Sequence, residues 1–477
     1  MAIILPANTL SAGGFSVDNS CRFNPGDSPE LSRSTGDGNE DVGSFSFWWK
    51  PDKEGGATFY SIYVDSSNFF TISVDGGGNF QVLNKLSGSY NMQFESTATF
   101  RDPSAWYNFV VLVDTTQSTE ANRMKAYVNG TQITSWQTST YPSQNTDMIM
   151  NSNSRTAYIS HSGDRMHGYL AEFVLIDGTA QAVTDFGEFD EDSPTIWKPK
   201  DVSGLSKGVN GFYLDFEDSS ALGNCAFGGT DFTVSNLAAA DQATDTPTNN
   251  FATLNPLYKG SLGATTFAEG NLKFHETNSP SESSPGASTI AVANGKWYFE
   301  VYCEEDEDHP PWIAASTVES AQTILTAAGT GHIWGLLAST HAVALYNDVV
   351  YKTSGGSYSE ILTAGLTGGR AADGDIMKMA LDLDNGKVWF GKNDEWTNGT
   401  ASISSTLDAS NNDTTVTAGV DHYLGCGGEG LICWANFGSP ARTISSGNAD
   451  ANGYGNFEYA VPSGFYALCT KNVAEYG

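Results

Sequence analysis

Basic residues are scarce in this sequence. Its 477 residues include 23 lysines and arginines against 55 aspartates and glutamates, which gives a formal net charge of −32. The densest basic stretch, residues 197–200, contains two lysines. Because a surface of this sign repels polyanions, we expect no nucleic-acid partner.

Long apolar runs, paired cysteines and helical periodicity are also lacking. No apolar run approaches the roughly 20 residues that a membrane-spanning helix needs, so we expect no insertion into a membrane. Six cysteines are too few for a disulfide scaffold, and none forms a C-x-x-C pair that would indicate a zinc ribbon. We therefore expect free thiols that are mostly buried.

The first half of the sequence contains clear strand alternation. Apolar and small polar residues alternate over Ser44–Trp48, which is the pattern of a half-buried strand. The run Trp106–Val113 is apolar at nearly every position, as in a central strand covered on both faces. Asn129-Gly130 predicts a tight hairpin, since both central residues need positive φ. Many short strands without crossover helices predict a β-sandwich.

The second half repeats this pattern. Strand signals resume at Gly295–Val301 and are strongest over Ile376–Phe390, where Asn385-Gly386 predicts another two-residue hairpin. Residues 218–289 are poor in large apolar residues, which is typical of a connector. We therefore predict an all-β protein with two antiparallel β-sandwich (jelly-roll) domains, 1–217 and 290–477, joined by an extended Ser/Thr/Asn-rich connector at 218–289.

Particular segments of the chain resemble known families. In the N-terminal half these are Phe45–Lys50, Trp106-Tyr107, Ala126–Gly130, Gly168–Glu172, Asp177-Gly178, Asp185–Gly187 and Trp197–Pro199. Together they resemble the concanavalin-A-like (laminin-G-like) jelly roll of marine bacteriophage structural proteins. In the C-terminal half the segments are Gly295–Val301, Gly374-Asp375 and Leu381–Asn393, which are similar to a SPRY domain. Phage-like motifs also occur at Asn210–Phe216, Asp245–Phe251, Leu254–Leu257, Asn436–Gly438 and Pro462–Leu468.

The resemblance implies a bacteriophage virion structural protein, assembled in the host cytoplasm from modules that more often bind than catalyse. We expect a tail fibre or similar appendage that binds a host-surface glycan or protein without catalysis. Its other partners would be virion proteins, including copies of itself, and a trimer is the expected oligomer. The alternative is a capsid or tail decoration protein with a purely structural role.

A glycan-degrading enzyme is a third alternative, because concanavalin-A-like folds also house glycosidases. Such enzymes need two carboxylates across the scissile bond. The nearest match to the family's Glu-x-Asp-x-Glu strand is Tyr213–Glu217, in which Tyr213 replaces the first acid. We therefore predict no catalytic residue in this segment and no enzymatic activity. Instead, Leu214 and Phe216 are expected to pack inward.

Calcium is the one cofactor that the sequence suggests, because Ca²⁺ takes about six to eight oxygen ligands and acidic clusters recur along the chain. The clusters are Glu188–Asp192, Glu304–Asp308 and Asp408–Asp413, and the simpler interpretation of each is a solvated loop. The resemblance to laminin-G-like sandwiches, which often carry calcium at a loop rim, supports a metal site. The candidate metal ligands are Asp190, Asp192, Asp306 and Asp308.

Aromatic side chains are the main candidates for ligand contact, because sugar rings stack on exposed aromatic faces. Those on clear strands are predicted to lie in the core: Phe47, Trp106, Phe109, Trp297 and Trp389. Those in turn-like contexts are the candidate ligand-binding residues: Trp136, Tyr141, Trp312, Tyr346, Tyr351 and Tyr358. Local packing is the alternative explanation for each of them.

Overall fold

The chain forms two compact units with a boundary between Asn249 and Asn250, which we call the N-terminal unit and the C-terminal unit. The computed structural model describes residues 14–161, 163–258, 265–276, 284–306, 310–317, 341–355, 357–399, 403–428 and 430–477. The segment predicted to be a connector is divided in the structure. Residues 218–249 belong to the N-terminal unit, and those from 250 onward belong to the C-terminal unit.

The N-terminal unit is built from short strands. In chain order they are β1 (Ser20–Phe23), β2 (Glu30–Ser34), β3 (Val42–Lys50), β4 (Ala57–Asp65), β5 (Asn68–Val74), β6 (Asn79–Leu86), β7 (Ser89–Thr99), β8 (Tyr107–Asp114), β9 (Met124–Val128), β10 (Thr131–Gln132), β11 (Trp136–Thr140), β12 (Thr156–Ile159), β13 (Gly168–Asp177), β14 (Gly187–Phe189), β15 (Trp197–Pro199), β16 (Phe212–Leu214), β17 (Thr233–Ser235) and β18 (Gln242–Ala243). Short 3-10 helices lie at Pro25–Asp27, Glu120–Asn122, Ile149–Asn151, Val183–Asp185 and Ala239–Asp241.

Two eight-stranded antiparallel sheets contain most of these strands. The first sheet has the order β10-β9-β8-β3-β13-β1-β18, with β16 paired beside β13. The second has the order β11-β7-β6-β5-β4-β12-β2-β17. A separate hairpin pairs β14 with β15. Because strands far apart in sequence, such as β3 and β13, are neighbours, the sheets are those of a jelly-roll sandwich rather than a simple meander.

The core of the N-terminal unit lies between its two sheets. The ring of Phe47 in the first sheet contacts that of Phe59 in the second, with centroids 4.6 Å apart. Phe80 and Phe109 stack across the same interface at 4.4 Å. Phe47 and Phe109 are buried in this core, as predicted. Trp106 is also buried, but it precedes β8 and packs in a separate cluster with Trp48 and Tyr169.

The tight hairpin at Asn129-Gly130 is formed as predicted. Val128 of β9 pairs with Thr131 of β10. Both residues between them have positive φ, 45° for Asn129 and 73° for Gly130. This is the backbone conformation that a two-residue hairpin loop requires.

Residues 218–249 pack as part of the N-terminal unit and do not form an extended connector. Leu222 and Phe232 are buried in its core, and the ring of Phe232 lies 5.0 Å from that of Phe212. Asp245 forms an ion pair of 2.7 Å with Lys50, and each side chain is 1% exposed. This segment is therefore anchored both by its few large apolar residues and by a buried ion pair.

The C-terminal unit has its own set of strands and one short helix within the described residues. They are β19 (Thr265–Ala268), β20 (Lys273–Glu276), β21 (Ser284–Val292), β22 (Lys296–Asp306), β23 (Trp312–Thr317), β24 (Ala342–Tyr346), β25 (Val349–Ser354), β26 (Ser357–Thr363), β27 (Ile376–Asp382), β28 (Lys387–Lys392), β29 (Glu395–Thr397), β30 (Ile403–Ser404), β31 (Thr414–Thr415), β32 (His422–Gly428), β33 (Leu431–Asn436) and α1 (Thr470–Tyr476).

These strands also form two packed antiparallel sheets. One has nine strands in the order β19-β20-β33-β22-β27-β28-β29-β30, with β31 beside β28, and the other has six in the order β21-β32-β23-β24-β25-β26. Phe299 and Met379 of the larger sheet share one buried cluster with Ile313 and Leu345 of the smaller. Two antiparallel β-sandwiches are therefore confirmed as the fold class.

The second predicted hairpin differs in length from the prediction. Paired positions end at Asp382 and resume at Lys387, so residues 383–386 form the loop. The carboxylate of Asp382 accepts hydrogen bonds from the backbone N–H and the side-chain amide of Asn385, at 3.0 and 2.9 Å. These hydrogen bonds stabilise the four-residue loop.

Two further expectations concern thiols and membranes. All six cysteines are free and buried, as predicted. In the part of the chain that the structure describes, no helix has the length and apolar character needed to cross a membrane.

Candidate ligand-binding site

An exposed row of side chains crosses four neighbouring strands on the outer face of the second sheet of the N-terminal unit. Pairing places Tyr63 of β4 opposite Phe69 of β5, and Phe69 opposite Lys85 of β6. Lys85 in turn lies opposite Tyr90 of β7. We call these four residues the aromatic row. Tyr63 is 51% exposed and Tyr90 is 40% exposed, so much of both side chains is in contact with solvent.

Contacts within the aromatic row order its rings. The Tyr63 and Phe69 rings are stacked with centroids 6.3 Å apart, and Phe69 meets Tyr90 edge to face at 6.1 Å. The Lys85 ammonium lies 5.9 Å from the Phe69 centroid and 5.2 Å from that of Tyr90. It also donates a hydrogen bond of 3.0 Å to the Ser66 carbonyl. Each cation–π contact contributes about 0.5–1 kcal/mol at an exposed site and fixes the ring orientation.

Strand alternation explains why Phe69 faces outward. In β5, Phe70 and Ile72 are fully buried, so the residue next to Phe70 points to the opposite face. Tyr63 follows the same rule in β4, one residue after the buried Ile62.

Tyr90 reaches the outer face by a different route. Met92 and Phe94 of β7 are buried, and strict alternation would place Tyr90 on the same inner face. The pairing register of β7 with β6 shifts between Asn84 and Lys85. The shift is a β-bulge, which adds a residue to one strand and turns Tyr90 toward Lys85.

The turn between β4 and β5 is fixed by its own hydrogen bonds. The Asp65 carboxylate accepts one of 2.7 Å from the Ser67 N–H and one of 3.0 Å from the Asn68 side chain. These donors hold the pKa of Asp65 below its ordinary value. The ionised carboxylate therefore helps to keep the strands that carry Tyr63 and Phe69 in register.

Polar groups border the aromatic row on the same face. Thr71 and Tyr158 lie on either side of Ser61, two positions along β4 from Tyr63, and both are half-buried, whereas Ser61 itself is buried. The His161 ring stacks on Tyr158 at 4.0 Å and lies 6.3 Å from the Tyr63 ring. Hydroxyl and imidazole groups are therefore placed beside exposed rings. This combination of apolar faces and hydrogen-bonding groups suits recognition of a polyhydroxylated ligand.

Trp136 and Tyr141, two of the predicted ligand-binding residues, lie together at the opposite edge strand. Trp136 begins β11 rather than lying in a turn. Both rings pack edge-on against Phe94, with centroid distances of 5.1 and 4.7 Å. They are half-buried, so local packing accounts for much of their surface.

The other four predicted aromatics all lie in strands of the six-stranded sheet rather than in turns. Trp312 and Tyr346 are 2% and 8% exposed and share a cluster against which Tyr351 packs. The Tyr351 ring lies 6.1 Å from that of Tyr358, which is 42% exposed. The structure brings these residues together, but in this conformation the Trp312 and Tyr346 rings have almost no surface for a ligand.

The carboxylate of Asp190, a candidate metal ligand, is engaged by hydrogen bonds and an ion pair within the protein. It is buried, and its Oδ1 accepts hydrogen bonds of 3.1 and 2.9 Å from the N–H groups of Asp192 and Ser193. Its Oδ2 lies 3.5 Å from the Lys198 ammonium, which supplies the neutralising charge. This carboxylate therefore stabilises its own loop, whereas Asp192 is exposed.

The remaining metal candidates cannot be placed in this way. Asp306 ends β22, but its side chain and the whole of Asp308 lie outside the described residues. Within the residues that are described, no group of three or more His, Cys, Asp or Glu side chains is arranged to hold a metal ion. Calcium binding stays a prediction.

The segment compared with glucanases folds as expected. Leu214 and Phe216 are buried, Asp215 is half-buried and Glu217 is exposed. The Tyr213 hydroxyl donates a hydrogen bond of 2.7 Å to the Glu172 carboxyl. The position of the missing acid is therefore filled by a phenol bound to a carboxyl on β13.

The residues of the aromatic row are not among the predicted ligand-binding aromatics, which are those in turn-like sequence contexts. The available signal was parity, since Tyr63 and Phe69 occupy positions where alternation predicts polar residues. Tyr90 gave no such signal, because its orientation depends on a bulge that no residue pattern marks.

Comparisons with known proteins bear on the same part of the chain. Residues 27–182 match the Laminin_G_3 family model, described as the concanavalin A-like lectin/glucanases superfamily. No curated protein matches the chain.

Three similar solved structures each match between 35% and 38% of this chain. A native heptameric SAP-like pentraxin from Limulus polyphemus has 15% identity, with 35% of this chain and 78% of that chain covered and a TM-score of 0.26. The SPRY domain of human HERC1 has 13% identity, 38% and 96% coverage and a TM-score of 0.26. Domain 4 of AbnA, a GH43 extracellular arabinanase from Geobacillus stearothermophilus in complex with arabinotriose, has 14% identity, 37% and 78% coverage and a TM-score of 0.27.

The aromatic row lies inside the segment that the family model matches. That segment also contains strands β2–β13, which build most of the second sheet and part of the first. The N-terminal unit therefore has a concanavalin A-like, laminin G-like β-sandwich fold.

Proposed function

We propose that this chain is an attachment protein that binds a saccharide on a host surface without cleaving it, with the aromatic row as its binding face. The observation that carries the proposal is the alignment of Tyr63, Phe69 and Tyr90 in one ordered, solvent-facing row. Exposed apolar residues scattered singly are normal, whereas a contiguous group indicates an interaction surface. Rings already fixed in the free protein also lose little conformational entropy when they bind.

The virion setting of this proposal is supported by the order of phage-like segments along the sequence. In that setting the chain is a tail fibre or similar appendage, and its other partners are virion proteins and further copies of itself. The aromatic row is a face rather than a deep pocket, so each contact with a glycan is weak. Several copies on one particle would then raise the overall affinity through avidity.

The test is binding of the purified full chain to host cells, followed by measurement of phage adsorption to the pre-incubated cells. The double variant Tyr63→Ala/Tyr90→Ala removes two exposed rings, and we expect it to weaken cell binding roughly tenfold or more. The matched control is Phe189→Ala, which removes an aromatic side chain that is 46% exposed but lies outside the row.

Saturable binding that blocks adsorption, and that is lost in the double variant but kept in the control, supports the proposal. Equal binding by both variants would exclude the aromatic row as the site. Absence of binding by a folded, oligomeric wild-type protein would contradict attachment and favour a decoration role. Release of reducing ends from host polysaccharide would contradict the non-catalytic part.

A further inference from the structure

A cleft of about 530 Å³ opens on the outer face of the nine-stranded sheet in the C-terminal unit. Pairing of β22, β27 and β28 aligns Lys296, Asp382 and Lys387 in one cross-strand row of its floor. Trp389 lies in the next row, and residues 405–409 and 460–465 form the walls. Its volume is within the range of small-molecule sites, roughly 300–1,000 Å³.

The polar end of the cleft has a net positive charge in a strongly acidic protein. Two lysines and one aspartate are the charged residues among those that line it. Asp382 is neutralised by Lys296 at 3.0 Å and accepts two hydrogen bonds from Asn385. The Lys387 ammonium donates 3.2 Å to the Ala409 carbonyl, and within the described residues it forms no ion pair with a carboxylate. Lys387 is therefore the cation available to a ligand.

The other end of the cleft is apolar. Leu407, Ala460, Val461 and Pro462 supply its solvent-accessible apolar side chains, whereas Trp389, Trp396 and Phe465 line it but are only 1%, 3% and 5% exposed. The Trp389 Nε1 donates to the carbonyls of Asp408 and Asn411 at 2.9 and 3.1 Å, which fixes both the ring and the neighbouring wall. This end is consequently pre-formed and does not have to be assembled by the ligand.

Small hydroxyl groups complete the lining. Ser405, Thr406 and Ser463 lie on the two walls, and Ser405 and Thr406 are exposed. A ligand that uses all these features has an apolar face for the side chains of Leu407, Val461 and Pro462, several hydroxyls for the walls, and one anionic group for Lys387. A pyranose that carries a single carboxylate has all three.

We propose that this cleft is a second saccharide site, specific for an acidic sugar unit whose carboxylate pairs with Lys387. The site lies wholly within the C-terminal unit and does not depend on the aromatic row. It would give the chain two kinds of glycan contact, one by stacking on a flat face and one by charge in a cleft.

The test compares glucuronate with glucose as ligands of the full chain, by isothermal titration calorimetry and ligand-observed saturation-transfer NMR. We expect wild-type protein to bind glucuronate more tightly than glucose. Lys387→Gln should weaken glucuronate binding roughly tenfold, since an ion-paired hydrogen bond is lost, and leave glucose nearly unchanged. The matched control is Lys200→Gln, which removes a lysine of the N-terminal unit that also donates to a backbone carbonyl, that of Thr184.

A second variant tests the location independently of charge. Ala409 is exposed on the wall of the cleft, so Ala409→Trp would fill the cleft without disturbing the core, and we expect it to abolish binding of both sugars. Failure of the wild-type protein to bind glucuronate would overturn the proposal. So would glucuronate binding that survives Lys387→Gln and Ala409→Trp but is lost in Tyr63→Ala/Tyr90→Ala, which would assign the ligand to the aromatic row.

Discussion

The Tyr213 hydroxyl donates a hydrogen bond of 2.7 Å to the carboxyl of Glu172, which is buried on strand β13. Glu172 has a φ of 51°, and the pairing of β13 with β3 shifts between Ala171 and Val174. Burial is the main cause that raises the pKa of Glu172 to about 8. The carboxyl is therefore mostly protonated at neutral pH, inside a sheet whose backbone bends at this residue.

This buried proton makes the stability of the N-terminal unit depend on pH. The folded protein keeps the proton up to about pH 8, whereas the unfolded chain releases it near the ordinary pKa of about 4.3. The contribution is therefore fully present below about pH 4.3, falls by about 1.4 kcal/mol per pH unit above that value, and is lost once the pH has risen through about 8. Glu172→Gln has no proton to release and should lack this decline.

Urea unfolding of the wild type and of Glu172→Gln between about pH 5 and pH 8 measures the difference. The matched control is Glu120→Gln, which neutralises an exposed glutamate of the same unit and should keep the wild-type slope. Parallel loss of stability in all three proteins would show that Glu172 is ionised in the fold.

The ion pair between Lys50 and Asp245 gives a second prediction, about stability. Its atoms are 2.7 Å apart, both side chains are 1% exposed, and the Trp106 Nε1 also donates to Asp245 at 3.2 Å. Asp245→Asn leaves a buried ammonium without its counter-charge, which should lower the free energy of unfolding by about 3–5 kcal/mol. The measurement is chemical denaturation of the full chain.

The comparison for this variant is an exposed ion pair of the same unit. Arg101 and Glu54 are 57% and 58% exposed, so Arg101→Gln should cost at most about 1 kcal/mol. Equal costs for Asp245→Asn and Arg101→Gln would mean that water reaches Lys50.

The sequence predicted those parts of the fold that local pattern determines. Alternation in Ser44–Trp48 and the apolar run Trp106–Val113 predicted two strands, which the structure shows as the neighbours β3 and β8. The alternation also predicted that β3 is half-buried, which is wrong, because the small Ser44 and Ser46 are buried as well as Phe45 and Phe47. Asn129-Gly130 identified a hairpin, because few residues tolerate the φ values that its loop requires.

Long-range relationships were not predictable in this way. Asp245 is 195 residues from Lys50 in sequence, so composition alone made its segment look like a connector. Tyr90 faces outward because of a bulge, and Lys387 joins Lys296 and Asp382 in the floor of the cleft through the pairing of three strands. Such features depend on register between strands, which single-residue patterns do not encode.

A third prediction concerns the loss of stability when Gly130 is substituted, because both its backbone conformation and its packing require glycine. Its φ is positive, and a Cβ at this position would lie 2.3 Å from Cε3 of Trp197. The Trp197 ring is held by a hydrogen bond of 2.9 Å from Nε1 to Asn108 and cannot move aside freely. Gly130→Ala should therefore destabilise the N-terminal unit by at least about 2 kcal/mol.

Gly76→Ala is the control for this variant, because a methyl group added at Gly76 would have no atom within 4 Å. It should change stability by less than about 0.5 kcal/mol. Thermal unfolding of both variants measures the difference, and equal midpoints would mean that the hairpin and Trp197 adjust without cost.

The six cysteines give a last prediction, on reactivity. All are buried, and burial raises the pKa of the Cys21 and Cys433 thiols well above their ordinary value. Because the thiolate is the reactive form, iodoacetamide should modify none of the six rapidly in the native protein. An exposed thiol introduced by Gly76→Cys should react at once and serves as the internal standard.

Mass spectrometry of the labelled peptides can then follow the unfolding of each unit separately. Cys21 and Cys225 lie in the N-terminal unit, and the other four cysteines lie in the C-terminal unit. If the units unfold independently, the two sets should become reactive at different denaturant concentrations, each set as a group. A native cysteine that reacts as fast as the introduced one would contradict its burial, and scattered reactivity within one set would contradict a cooperative core in that unit.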